Sequence, residues 1–189
     1  DLVRSRGLGD VYKRQQDPAI GGGRIVGEAC HFFDLFNFLV GKDIQVKDIC
    51  VNSIPVNGKN VISQDNFIVS IRYGDGSLVV LTYTSLGDEK LPKERLEVFA
   101  GGKVFILNDY LNLEVYGISP EELKIPGGKM KGNSIRLSVQ DKGLKQELVE
   151  LAKFMKGGTS RIISFAEVIS AMELTFEIDR AIKLSLIHI

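Results

Sequence analysis

Apolar positions recur along this chain in two rhythms, one of strands and one of helices. Residues 45–53, 66–73, 77–85, 94–100, 104–108 and 111–116 are short runs rich in Val, Ile, Phe and Tyr, the composition of strands. Glycine-containing steps punctuate them. Tyr73-Gly74-Asp75-Gly76-Ser77 and Ala100-Gly101-Gly102-Lys103 each join two apolar runs, which predicts at least two antiparallel hairpins. A further strand is expected at 134–139, after the Gly-rich, basic stretch 126–133, which reads as a mobile surface loop. Helical spacing brackets this region. Residues 24–40 form an apolar-rich helix stopped by Gly41, with most of its circumference expected to be buried. Near the end, Leu144, Leu148, Leu151 and Met155 recur at helical intervals before Gly157-Gly158. Phe165, Ile169, Met172 and Phe176 repeat the pattern, with Ser164 as N-cap and Glu167 at the capping-box position. The prediction is an α+β fold: a mostly antiparallel open sheet with helices packed on one face.

Composition narrows the function classes. The chain has 189 residues, with 24 Lys+Arg against 24 Asp+Glu. A domain of this size buries about 70% of its unfolded surface. Zero net charge argues against a broad nucleic-acid face, which needs clustered cations. No apolar run reaches the ~20 residues that cross a bilayer, since His31, Asp34 and Asn37 interrupt the best candidate at 29–40. Cys30 and Cys50 form neither a metal knuckle nor a disulfide framework, so a reduced, cytoplasmic protein without a metal centre is expected. The two ends differ from the middle. Residues 1–15 (DLVRSRGLGDVYKRQ) and 184–189 (LSLIHI) resemble translated sequencing-adapter read-through, so 16–183 is taken as the domain and His188 is set aside.

Candidate chemistry concentrates in the first helix. Glu28, His31 and Asp34 follow one another at intervals of three, which places all three within about a third of the helix circumference. Asn37 has drifted half a turn from Glu28 and lies outside the cluster. A histidine between carboxylates is held in one tautomer and keeps its proton to higher pH, which suits a general base or acid near neutrality. The same spacing fits a structural role, with His31 bonding inside the core and Asp34 satisfying a loop amide.

Other features carry weaker signals. Gly21-Gly22-Gly23 lacks a preceding strand and the GxGxxG spacing, and reads as a flexible lead-in to the helix more than as a phosphate cradle. Cys30 points about 100° from His31 and reads as a small core residue. The charged run 88–95 reads as a solvated loop entering a strand, although Lys93 and Arg95 are placed to meet an anionic substrate group.

The segment GGGRIVGEACHFFDLFNFLVG resembles the opening helix of the C-terminal domain in the glucose-fructose oxidoreductase and inositol dehydrogenase (Gfo/Idh/MocA) family, where a GGG entrance leads to a His-x-x-Asp pair. LPKERLEVFAGG, ILNDY, DKGLKQELVELAKFMKGG and ISFAEVISAMELTFEIDRAI extend the resemblance over about residues 17–183, most closely to members carried on a larger two-part dehydrogenase chain. The resemblance implies the substrate-binding and catalytic-base domain of an NAD(P)-dependent sugar oxidoreductase. In that reading His31 takes the hydroxyl proton, Asp34 or Glu28 orients it, and Arg24, Lys93 and Arg95 are the candidate sugar contacts. NAD or NADP would be held mainly by a Rossmann domain, so no cofactor binding is expected of this chain alone. The family also uses a sheet face to form homo-oligomers. Apolar residues on both faces of Phe67-Ile-Val-Ser-Ile71 and Leu78-Val-Val-Leu81 fit such a contact. Gly27 stands where many members have an Asp, four residues before the His, and Leu144 replaces a second His. Neither a strand-Gly-turn-helix unit nor a Glu-Lys-Pro motif is present, as in a fragment cut at a domain boundary. The competing class is a non-catalytic ligand-binding or oligomerisation module of the same fold.

Overall fold

In the computed structural model, which describes residues 20–41, 43–53, 66–88, 90–119, 122–123, 129–159 and 162–185, the strand pattern resolves into two antiparallel sheets. They belong to two units, Asp1–Leu86 with Ile163–Ile189, and Gly87–Ile162. The fold is α+β, as the sequence predicts, but with two sheets in place of one.

The first unit holds β1 (Val46–Ser53), β2 (Phe67–Tyr73) and β3 (Leu78–Tyr83), in that order across the sheet. Alternation on β2 decides its orientation. Phe67, Val69, Ile71 and Tyr73 are buried, while the residues between them face outward. The β2–β3 turn is fixed locally: Tyr73 N–H donates to the Ser77 carbonyl at 2.9 Å, and the Asp75 carboxylate accepts from Ser77 N–H and Oγ–H at 2.9 and 2.8 Å. Gly76, at φ +89°, supplies the left-handed residue that closes it.

Two helices complete this unit. A single widened π turn, Ile25–Ala29, leads into α1 (Cys30–Val40), and a long helix, here α3 (Phe165–Ser185), returns near the end of the chain to pack against α1 and β1. The core stripe of the first helical segment is Ile25, Ala29, Phe33 and Phe36. Most of its circumference is not buried, contrary to the sequence expectation: Phe38 is 77% exposed and Leu39 is also exposed. Gly41 ends α1 as predicted, with its N–H on the Asn37 carbonyl at 2.9 Å. At the start of α3 the predicted capping box is present, Ser164 N–H donating to Glu167 Oε2 at 2.8 Å and Glu167 N–H to Ser164 Oγ at 3.2 Å. The buried face of α3 is a different one from that predicted. Ala171, Leu174, Thr175, Ile178 and Ile182 are inside, whereas Phe165 is 81% exposed and Ile169 and Phe176 are exposed too. Two apolar stripes compete on this helix, and packing against α1 and β1 selects the one through Leu174, Ile178 and Ile182. α3 continues through Ser185, two residues into the expected tail 184–189; residues 186–189 and 1–15 lie outside the described residues.

The second unit is a five-stranded sheet of β4 (Arg95–Ala100), β5 (Lys103–Asn108), β6 (Asn112–Tyr116), β7 (Lys129–Lys131) and β8 (Ser134–Arg136), in the order β4-β5-β6-β8-β7. Gly101 and Gly102, both at positive φ, make the two-residue turn expected between β4 and β5. β7 falls inside the stretch read as a mobile loop; it pairs with β8 around Gly132, and residues 126–128 lie outside the described residues. Gly117 is required by close packing, because a Cβ there would sit 2.5 Å from the Gly102 carbonyl oxygen. The helix α2 (Leu144–Met155) forms where its spacing predicts and stops at Gly157, but none of its residues is buried.

Candidate functional site

The sequence-predicted cluster lies at the junction of the π turn and α1. Glu28 sits on the widened turn and His31 begins the regular helix, where it is exposed to solvent. Asp34 is one turn further along and half-buried. Its carboxyl is pushed above the usual range, first by burial and then by the charge of Glu167 in the first turn of α3, with His31 pulling the other way. His31, Asp34 and Glu167 are thus electrostatically coupled, and Glu167 is a member that sequence reading assigned only to a helix cap.

Glu28 has a different partner. Its Oε2 accepts a hydrogen bond of 2.5 Å from the Tyr83 hydroxyl at the end of β3. The Tyr83 phenol is pushed up to about 12, mainly by burial and then by its bond to Glu28, while Arg24 opposes the shift through a hydrogen bond of its own. The phenol therefore stays protonated through the neutral range and donates to Glu28. Tyr83 is stacked on Phe67 across the β2–β3 pair, ring centroids 5.4 Å apart and planes 12° from parallel. Asn37, placed outside the cluster on spacing, receives the Tyr73 hydroxyl at 3.0 Å, and burial pushes that phenol to about 12.

Arg24, Glu28, His31 and Asp34 are thereby brought into one neighbourhood of the first unit. Lys93 and Arg95 belong to the second unit. Lys93 is exposed, and Arg95 is engaged on the polar face of its own sheet, with Nε and Nη2 on Glu97 Oε1 at 2.9 and 2.6 Å and Nη1 on Asn108 Oδ1 at 3.3 Å. Cys30 is half-buried and its thiol is pushed up chiefly by burial, the opposite of an activated nucleophile. Tyr83 was missed in the sequence. Its parity with Val79 and Leu81 places it on the core-facing side of β3, but nothing in the sequence names Glu28 as its partner.

Among the described residues no group of His, Cys, Asp and Glu could hold a metal ion, and no helix is long and apolar enough to cross a membrane. Every strand pairing among them is antiparallel, so they contain no parallel strand-helix-strand unit of the kind that seats a dinucleotide.

The Asp34 shift gives a signed prediction. When both states are protonated, below the ordinary carboxyl value of 3.8, the group contributes nothing. As pH climbs from there through the raised folded value, the unfolded chain loses its proton more readily, so Asp34 weakens folding across that window and above it. Asp34→Asn is therefore expected to raise the melting temperature more at about pH 7 than at about pH 3. Thermal melts at the two pH values check it; equal gains, or a loss at neutral pH, contradict it.

Comparison with known proteins places this geometry. Residues 3–94 match the family model described as "Oxidoreductase family, C-terminal alpha/beta domain" (Gfo/Idh/MocA). No curated protein sequence matches significantly. Among solved structures, UDP-N-acetylglucosamine 3-dehydrogenase GnnA from Acidithiobacillus ferrooxidans superposes with a TM-score of 0.63 at 11% identity, over 86% of this chain and 48% of that one. An NAD-binding protein from Listeria innocua gives 0.61 at 20% identity, over 90% and 52%. The WlbA dehydrogenase from Bordetella pertussis, solved with NADH and UDP-GlcNAcA, gives 0.55 at 16%, over 95% and 49%. At these identities the likeness is one of fold, and the chain spans about half the length of each of these structures.

Proposed function

We propose, from the match of residues 3–94 to the C-terminal alpha/beta domain of the Gfo/Idh/MocA oxidoreductase family, that the chain is the substrate-binding and catalytic-base half of an NAD(P)-dependent dehydrogenase acting on a sugar CH–OH group. The observation that carries this reading is His31: a solvent-facing imidazole at the start of α1, electrostatically coupled to the half-buried Asp34 one turn away. His31 accepts the hydroxyl proton of the sugar, and Asp34 stabilises the imidazolium that results. The nicotinamide, bound outside these residues, supplies the hydride chemistry. Two fold neighbours support a nucleotide-sugar as the substrate class, since one is a UDP-N-acetylglucosamine 3-dehydrogenase and another was solved with UDP-GlcNAcA.

The test is an assay of the chain joined to its upstream coding sequence, following reduction of NAD(P) with a panel of sugars and nucleotide-sugars. Turnover with a sugar alcohol group supports the reading. Binding of a sugar without turnover, in a protein shown to bind the cofactor, would favour a ligand-binding module instead.

The face of the first sheet turned away from the helices carries exposed Ile68, Leu78 and Val80. We propose that it is a homo-oligomer contact. Arg72 lies beside Leu78 in the β2–β3 register, so Leu78→Arg would oppose two cations across a symmetric contact of this patch. That variant is expected to sediment as a monomer where the parent chain does not. A monomeric parent at micromolar concentration overturns the proposal.

A further inference from the structure

The short hydrogen bond between Tyr83 and Glu28 addresses a question that the helix spacing leaves open, namely which carboxylate serves His31. In a regular α-helix Glu28 would lie one turn below His31 and could reach its imidazole. The segment is not regular at that point. Cys30 N–H bonds back to the Ile25 carbonyl, five residues earlier, so the turn containing Glu28 is widened. Tyr83 meets the chain on this turn, its hydroxyl donating to Glu28 Oε2 at 2.5 Å and hydrogen-bonding Arg24 just before it. The phenol is itself immobilised, because its ring is stacked on the fully buried Phe67.

We propose that Tyr83 is a positioning residue of the His31 site: it holds Glu28 on the widened turn and away from the imidazole, so that Asp34 is the carboxylate paired with His31. This deepens the dehydrogenase reading and rests on it for the identity of the reacting group. The consequence is chemical. A base flanked by one carboxylate has one preferred ring orientation and tautomer; a second carboxylate competing for the other ring nitrogen would divide the population and tighten the hold on the proton that must be passed on. Arg24, Asp34 and Glu167 are the other charged groups around this corner.

The test uses the chain as it stands. Tyr83→Phe keeps the ring on Phe67 and removes only the hydroxyl. Imidazole nitrogen and carbon resonances of His31, assigned by their loss in His31→Asn, report tautomer and hydrogen bonding. In Tyr83→Phe the His31 resonances are expected to move. In the Glu28→Gln background, adding Tyr83→Phe is expected to produce no such movement, since the liberated side chain carries no charge. Unmoved His31 resonances in Tyr83→Phe overturn the proposal, and so does an equal movement in both backgrounds, which would mark a merely structural disturbance. Because no substrate is involved, a longer protein without dehydrogenase activity would overturn the functional reading and leave this result untouched.

Discussion

In the dehydrogenase proposed above, replacing His31 with asparagine is expected to lower kcat by about 10² to 10⁴, the range for loss of a general base, which corresponds to ~2.7–5.5 kcal/mol of transition-state stabilisation. The melting temperature should barely change. His31 is exposed at the start of α1, and substitutions at exposed positions usually alter stability by less than about 0.5 kcal/mol. Asp34→Asn should lower kcat less than His31→Asn, because an amide still fills the position and only the charge that steadies the imidazolium is lost. Steady-state kinetics with the preferred sugar, alongside thermal melts, separate these outcomes. A His31→Asn enzyme with full activity and an early melt would assign the residue to the fold and move the base elsewhere.

Asp34 connects this expectation to stability. Its half-buried carboxyl, raised by burial and by Glu167, makes the folded state less stable at neutral pH than an uncharged side chain would. The variant that loses activity is therefore expected to melt later. This opposition between function and stability is what a charged group retained for chemistry produces.

How far the sequence discloses this arrangement depends on the range of the interactions involved. The strands were legible because alternation and turn glycines act over a few residues: Gly76 and Gly101-Gly102 close the turns where their positive φ is needed. The Ser164–Glu167 cap was legible for the same reason. The faces of helices were harder to read. α3 carries apolar residues on two sides, and only packing against α1 and β1 selects Leu174, Ile178 and Ile182 over Phe165, Ile169 and Phe176. Division of the strands into two sheets likewise depends on pairings between separate parts of the chain. At the site, spacing found His31 and its two acidic neighbours on one helix. It did not find that Glu28 is held by Tyr83, 55 residues away, or that Glu167 lies close enough to act on Asp34. Local rules cannot name a partner supplied by another element.

The largest expected loss of stability comes from the same helix that carries His31, two residues further on. Phe33 is 0% exposed, points into the core stripe of Ile25, Ala29 and Phe36, and meets Phe36 edge to face with centroids 6.4 Å apart. The long helix α3 packs against α1 and the π turn that carry this stripe, so truncation of Phe33 leaves a cavity in their interface. Phe33→Ala is expected to cost about 3–5 kcal/mol, a large share of the ~5–15 kcal/mol that holds a typical domain together. Urea unfolding checks it: the midpoint should fall sharply while the slope stays close to that of the parent. Phe33→Leu, which keeps most of the volume, should cost much less. The neighbouring position supplies the contrast, since His31→Asn in the same measurement should leave the midpoint near the parent value. A Phe33→Ala chain that unfolds with the parent midpoint would mean that α1 is not packed on this core, and the placement of His31 relative to Asp34 and Glu167 would fall with it.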